Sequence, residues 1–331
     1  MYDFEPEKVR QFLESHNVRR AAIQLPPGLR RNLREIIRTF KEAEVEAVVL
    51  SDSCYGACDL ADVKAKRLGC DALIHYGHAD MGLRTVLPTL FVEARMKIDP
   101  RGAIELALPE LEGKRWGVAT TVQHIEHLPR IMKFLADNGI ESVIGNPGPR
   151  ARYPGQVLGC DWGCVRSIAG EIDGILYVGT GRFHPLGMVL ATGKEVVAAN
   201  PISGSYERVR GFEDFIKKRA AVVGRASSYE DFYVVSSVKP GQRRLGLARK
   251  VVRELRQNGL NAELLVADEI TPETVEDFPE GGVVSVACPR IPIDDVERFK
   301  RPVLTPFEAR VMMGKAELEP YELDEIEEGD A

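Results

Sequence analysis

The 331-residue sequence predicts an α/β protein: three homologous α/β domains with mainly parallel sheets, arranged about a pseudo-threefold centre. Short apolar runs bounded by turn residues alternate with amphipathic stretches, the pattern of strands joined by crossover helices. A strand, a helix and a second strand recur in that order three times, and two of the helices stop at a glycine directly before the next strand. A fixed count ties the cysteines to this rhythm. Thirteen residues separate Cys58 from Asp71, Cys160 from Asp173 and Cys288 from Arg301, and each interval ends at a short aliphatic run.

In the first copy Arg20 to Leu25 reads as a strand, Pro26-Pro27-Gly28 as a turn, Leu29 to Ala43 as a helix and Val45 to Leu50 as a strand. The second copy has a strand at Trp116 to Thr121, a helix from His127 to Asn138 ended by Gly139, and a strand at Ile140 to Ile144. In the third, Phe232 to Ser236, Leu245 to Asn258 closed by Gly259, and Leu260 to Ala267 repeat the order. The period, about 100 residues, is too long for a solenoid, so the copies read as domains. Their expected spans are 1–105, 106–208 and 209–331, the rhythm lapsing near Arg101–Leu111 and Ser203–Ser228. The acidic tail from Lys315 is expected to be solvated.

Composition narrows the function classes. With 44% hydrophobic and 28% charged residues, the chain is neither disordered nor a small scaffold. A net charge of −6 gives no general pull toward nucleic acid or anionic lipid, so neither is an expected direct partner. No apolar run approaches the roughly 20 residues of a membrane helix, and the first twenty residues are too polar for a signal-peptide core. The expected address is the cytoplasm. There, six cysteines in so long a chain point to metal binding or chemistry more than to a disulfide scaffold.

Ligands of α/β units gather at the C-terminal ends of parallel strands. Three related domains about a common centre would therefore bring Cys58, Cys160 and Cys288 to one point. Three thiolates suit a soft metal or an iron–sulfur cluster, whereas a closed zinc site wants a fourth ligand. A cubane held by three cysteines leaves one iron open to a substrate atom. The bland alternative is that each cysteine is buried as a small hydrophobe. Cys54 with Cys58, and Cys160 with Cys164, form C-x3-C pairs like the start of a radical-SAM loop, but neither has the third cysteine two residues later. Cys54 and Cys164 fall outside the thirteen-residue set, and Cys70, abutting a strand, reads as core.

The segments Asp52-Ser-Cys-Tyr-Gly-Ala-Cys-Asp-Leu-Ala-Asp62, Gly155-Gln-Val-Leu-Gly-Cys160 and Ser285-Val-Ala-Cys-Pro-Arg290 closely resemble motifs of the archaeal diphthamide synthase subunit family. Leu25-Pro-Pro-Gly-Leu29, Thr120-Thr-Val-Gln-His124, Gly181-Arg-Phe-His-Pro-Leu-Gly187 and Leu304-Thr-Pro-Phe-Glu-Ala309 resemble it as well, so the likeness runs from about residue 20 to residue 310. The resemblance implies a non-classical radical-SAM enzyme in which each of three domains gives one cysteine to a [4Fe–4S] cluster, here Cys58, Cys160 and Cys288. It implies S-adenosylmethionine as co-substrate and a reducing electron donor. It also implies a homodimer and a histidine of translation elongation factor 2 as acceptor. The implied reaction breaks the bond from sulfur to the γ-carbon of the methionine part and transfers a 3-amino-3-carboxypropyl group, releasing methylthioadenosine. Two alternatives share the same ligand count: a quinolinate synthase-like dehydratase and condensing enzyme, and a non-enzymatic cluster-binding scaffold.

For the co-substrate, Arg290 and Asp294 beside the third cysteine could take the methionine carboxylate and ammonium, or could form a structural ion pair. Gln242 and Gly28 lie in turns, Lys239-Pro-Gly-Gln242 and Leu25-Pro-Pro-Gly28, that can offer backbone N–H groups to a ligand, although tight turns alone call for the same residues. Gln156 and His184 are further candidates for the cleft. His124 and His127 read as the start of a helix more than a metal pair, and His75 and His78 either face the cleft or bond to a backbone carbonyl. Gly179-Thr-Gly lacks the spacing of a dinucleotide loop; no P-loop and no Ser–His–Asp signature is present.

Overall fold

The computed structural model describes residues 1–111, 114–209 and 212–327. The first sheet contains β1 (Arg20–Gln24), β2 (Glu46–Leu50), β3 (Ala72–Tyr76) and β4 (Thr89–Val92). The second contains β5 (Arg115–Thr120), β6 (Glu141–Val143), β7 (Gly174–Val178), β8 (Glu195–Asn200) and β9 (Ser205–Val209). The third contains β10 (Asp231–Ser237), β11 (Asn261–Ala267), β12 (Gly282–Ser285) and β13 (Val303–Leu304). Their orders are β2-β1-β3-β4, β6-β5-β7-β8-β9 and β11-β10-β12-β13, so one doubly wound order occurs three times. All pairings are parallel except that of β8 with β9.

The repeated helix after the first strand of each domain packs by the same rule. Helix Leu33–Glu42 buries Ile36 and Phe40, Leu128–Asp137 buries Leu128, Ile131 and Leu135, and Leu245–Gln257 buries Ala248, Val251, Val252 and Leu255. Spacings of three and four put these residues on one helix face, and each fully buried large side chain contributes about 1.5–3 kcal/mol. The glycine stops, Gly139 and Gly259, have φ of 75° and 81°. In the first domain Glu44 takes the same left-handed conformation, φ 55°, without a glycine's freedom. Strands β3 and β7 are buried along their whole length, as parallel strands covered on both faces are.

Four features depart from expectation. The first two helices are preceded by 3-10 turns, Pro27–Asn32 and Val122–His127, so the α-helical parts begin later. Helix Arg101–Leu111, where the rhythm lapses, buries Ala103, Ile104, Ala107 and Leu111 in the core around Trp116 and Val197, and so belongs with the second sheet. The tail is not a solvated end as far as Glu327: Tyr321 and Ile326 are 6% and 3% exposed, because its few apolar residues are spaced to fill a seam. Finally, the three cysteines are not topologically equivalent. Cys58 lies between β2 and β3 and Cys160 between β6 and β7, but Cys288 follows β12, one crossover later. The thirteen-residue count therefore ends at third strands in two domains and at the fourth in the last.

Candidate metal centre

Every crossover loop after a parallel strand emerges at the same edge of its sheet, so convergence does not require equivalent loops. The three domains turn these edges toward one another. A cavity of about 250 Å³ is lined by Cys58, Cys160 and Cys288 together with His78, Arg150 and Gln156. A contiguous one of about 260 Å³ shares Cys58 and Cys288 and reaches Lys239, Gln242, Arg290 and Asp294. In the third domain the loops after β10 and β12 supply this lining, the switch point of the strand order where α/β sheets open a crevice.

The loop of Cys58 is clamped by the third domain. Gly241 N–H donates to Cys58 O at 2.9 Å, and Gln242 Nε2 lies 3.3 Å from Cys58 Sγ. Gly241 is required for this approach: a Cβ there would stand 2.6 Å from Cys58 Cα. On the Cys160 loop, Asp161 Oδ2 accepts from Arg150 N at 2.8 Å and Oδ1 from Gly163 N at 2.8 Å. Cys288 stands one residue, Pro289, before the short helix Arg290–Asp294.

Burial pushes all three thiols up, Cys288 to about 12 and Cys160 further, so each is a neutral thiol until a cation takes the place of its proton. Against that burial, Gln242 and the Arg150 charge favour the Cys58 thiolate, and Arg150 favours that of Cys160. Arg150 is 8% exposed; Nη2 donates to Gly241 O at 2.7 Å and Nη1 has no partner among the described residues. No sequence signal marks it, because an arginine in a Pro-Gly loop forms no pattern. Three thiols with no fourth cysteine in the lining, plus a buried cation, suit a cluster with one open iron better than a closed zinc site.

The other sequence candidates divide. Arg290 pairs with Asp294, Nη2 to Oδ2 at 2.7 Å and Nε at 2.8 Å, while its guanidinium stacks 4.5 Å from the Phe183 ring; the ion pair exists, and it lies at the cavity. Gln156 and His184 line the cavity, with Gln156 Oε1 also accepting from Arg152 N at 3.0 Å. Gly28 is exposed on its 3-10 turn and lines neither cavity. His124 and His127 start a helix as expected, His127 Nε2 bonding to Met96 O at 2.9 Å. Cys70 is core, and Cys54 and Cys164 are buried outside the lining.

His75 bonds to side chains, not to a backbone carbonyl. Its Nδ1 donates to Gln24 Oε1 at 2.9 Å, and its Nε2 accepts from His78 Nδ1 at 2.9 Å. Gln24 is fixed in this orientation because its Nε2 donates to Asp59 O at 2.6 Å and Ala61 N donates to its Oε1 at 3.2 Å. Cys54, His75 and His78 bring ligand atoms within 4.8 Å of one another, but the histidines already use the facing lone pair in their mutual bond.

A match to the family described as "Putative diphthamide synthesis protein" covers residues 25–322. The chain belongs to the diphthamide synthesis family. Within it, the chain is 39% identical over 328 residues to the 2-(3-amino-3-carboxypropyl)histidine synthase of Pyrococcus horikoshii, covering 98% of this chain and 94% of that one. It is 30% identical to the synthase of Methanocaldococcus jannaschii, covering 100% and 95%. The crystal structure of Dph2 from Pyrococcus horikoshii with a 4Fe-4S cluster superposes with a TM-score of 0.92 at 38% identity, covering 98% of this chain and 95% of that one. No helix among the described residues is long and apolar enough to cross a membrane.

Proposed function

We propose that the chain is a 2-(3-amino-3-carboxypropyl)histidine synthase, the enzyme of the first step of diphthamide biosynthesis. Cys58, Cys160 and Cys288 hold a [4Fe–4S] cluster, and S-adenosylmethionine gives its 3-amino-3-carboxypropyl group to a histidine of translation elongation factor 2. The observation that carries this reading is that three cysteines from three separate sheets line one cavity. When bound, the cluster supplies one electron to the sulfonium and breaks its bond to the γ-carbon, which the protein selects by the pose it imposes.

The chain's own residues do the positioning. Arg290 and Asp294, half-exposed at the cavity, exchange their mutual pair for the methionine carboxylate and ammonium. Tyr55 and Gln123 line the same cavity, where a seated co-substrate leaves less room for water beside a reactive carbon. The enzyme works in the cytoplasm as a homodimer served by a reducing electron donor. An anaerobic assay tests the proposal: the reconstituted, reduced protein is given labelled S-adenosylmethionine and elongation factor 2. Methylthioadenosine with label on the factor supports it; quinolinate from iminoaspartate and dihydroxyacetone phosphate, or an inert cluster, overturns it.

A further inference from the structure

Arg150 is a cation in the wrong place for a structural residue. It is buried, with 8% of its surface exposed, and no carboxylate pairs with it among the described residues. A buried guanidinium without a counter-charge is costly to keep out of water. Its one side-chain bond, Nη2 to Gly241 O at 2.7 Å, joins the second domain to the third, but that latch uses a single donor and needs no charge. Nη1 is buried without a partner among the described residues. The side chain lines the cavity of Cys58, Cys160 and Cys288, and its charge acts on the first two. A fully formed donor is therefore left over beside three sulfur atoms.

The geometry points to Arg150 as the residue that sets the electrostatics of the cluster, its Nη1–H being the donor for an anionic sulfur in the cavity. The inference rests on the proposed cluster. Three thiolates outweigh the charge of the cubane core, so the bound cluster is negative, and one electron makes it more so. Among the described residues that line the two contiguous cavities, Arg150 is the buried cation with no carboxylate partner, since Arg290 is half-exposed and paired with Asp294 and Lys239 is paired with Asp59. Fixed positive charge and hydrogen bonds to sulfur favour the reduced form, which raises the potential and keeps an electron on the cluster until the sulfonium takes it. Arg150 is thus a positioning residue acting through the cluster.

The test uses the full chain, reconstituted without oxygen, as wild type, Arg150→Gln and Arg150→Lys. Iron and sulfide per chain are measured, and the midpoint potential is followed by EPR-monitored redox titration. The expected result is unchanged iron in both variants, a potential lowered in Arg150→Gln and lowered less in Arg150→Lys. A wild-type cluster with an unmoved potential in iron-replete Arg150→Gln overturns this assignment alone, whereas a wild-type chain that takes up no iron overturns the cluster reading with it. Where Arg150→Gln loses iron, Arg150→Lys decides: a lowered potential supports the assignment and a wild-type potential overturns it. Loss of iron from both with a lowered melting temperature also overturns it, because it marks Arg150 as no more than the latch to Gly241.

Discussion

Lys239 Nζ lies 2.7 Å from Asp59 Oδ2, joining two buried side chains 180 residues apart. Asp59 follows Cys58, and Lys239 opens the turn whose Gly241 and Gln242 touch that cysteine. The ammonium also lies 4.9 Å from the centre of the Tyr55 ring. Burial pushes the Asp59 carboxyl up while Lys239 draws it back, so the pair is retained only because each charge answers the other. The first cysteine is thereby positioned by a different domain from the one that carries it.

Removing one partner is costly. Lys239→Met leaves Asp59 buried and uncompensated, and is expected to lower stability by about 3–5 kcal/mol and to loosen the Cys58 loop. Urea denaturation and iron retention after reconstitution check both effects. A variant as stable and as iron-rich as the wild type would show that the pair is incidental.

Four of the six cysteines are expected to sort into two groups. Cys58→Ala, Cys160→Ala and Cys288→Ala each abolish the cluster absorbance and methylthioadenosine formation. Cys70→Ala spares both and costs about 1 kcal/mol, the loss of a small group from the cluster of Ala22, Leu60 and Leu73. Optical spectra and iron content distinguish the groups, and full iron in any of the first three variants removes that residue from the ligand set.

The strand–helix–strand order was legible because it rests on local periodicity: Ile36 with Phe40, and Val251 with Leu255, declare their faces within a few residues. The cysteine count selected the residues that meet, yet for a reason only partly right, since Cys288 is displaced by one crossover from the other two. What sequence could not reveal is contact across domains. Arg150 with Gly241, Lys239 with Asp59 and Ile326 with Cys160 are pairs set by how three sheets pack, and no spacing encodes them.

Acid should destabilise the protein over a defined window. Burial pushes His78, His124 and His184 down to about 4 from an ordinary 6.5, and His75 well down also. Between those values the unfolded chain binds more protons than the folded one, so stability is full above the ordinary value and falls as pH drops toward 4. A fall from 6.5 to about 4 makes the contribution of His78, His124 and His184 on the order of 3 kcal/mol each across the window. Buried carboxyls such as Asp59 titrate with the opposite sign, so the slope is read as the difference between wild type and His124→Asn in urea denaturation at several pH values. Identical slopes would mean that His124 keeps an ordinary affinity for protons.

The C-terminal segment is expected to act as a strap on the second cysteine. Ile326 N–H donates to Cys160 O at 3.2 Å. Its neighbours anchor it: Arg244 holds Asp324 through Oδ1 at 2.9 Å and Oδ2 at 2.8 Å, and Arg166 meets Glu325 at 2.8 Å. Upstream, Tyr321 O–H donates to Glu308 Oε1 at 2.8 Å, and Glu308 is itself held by buried Arg219 at 2.6 Å. The strap thus ties the Cys160 loop to helices of the third domain. Deleting residues 322–331 leaves Tyr321 and its anchor in place but strips the carboxylate from Arg244 and the cover of Ile326 from the loop. Loss of the Ile326 burial alone is worth about 1.5–3 kcal/mol, so a lower melting temperature is expected, together with faster release of iron to a chelator. Ile326→Asp should reproduce the faster release with the rest of the tail intact. Chelation at the wild-type rate in both variants would leave the tail no part in holding Cys160.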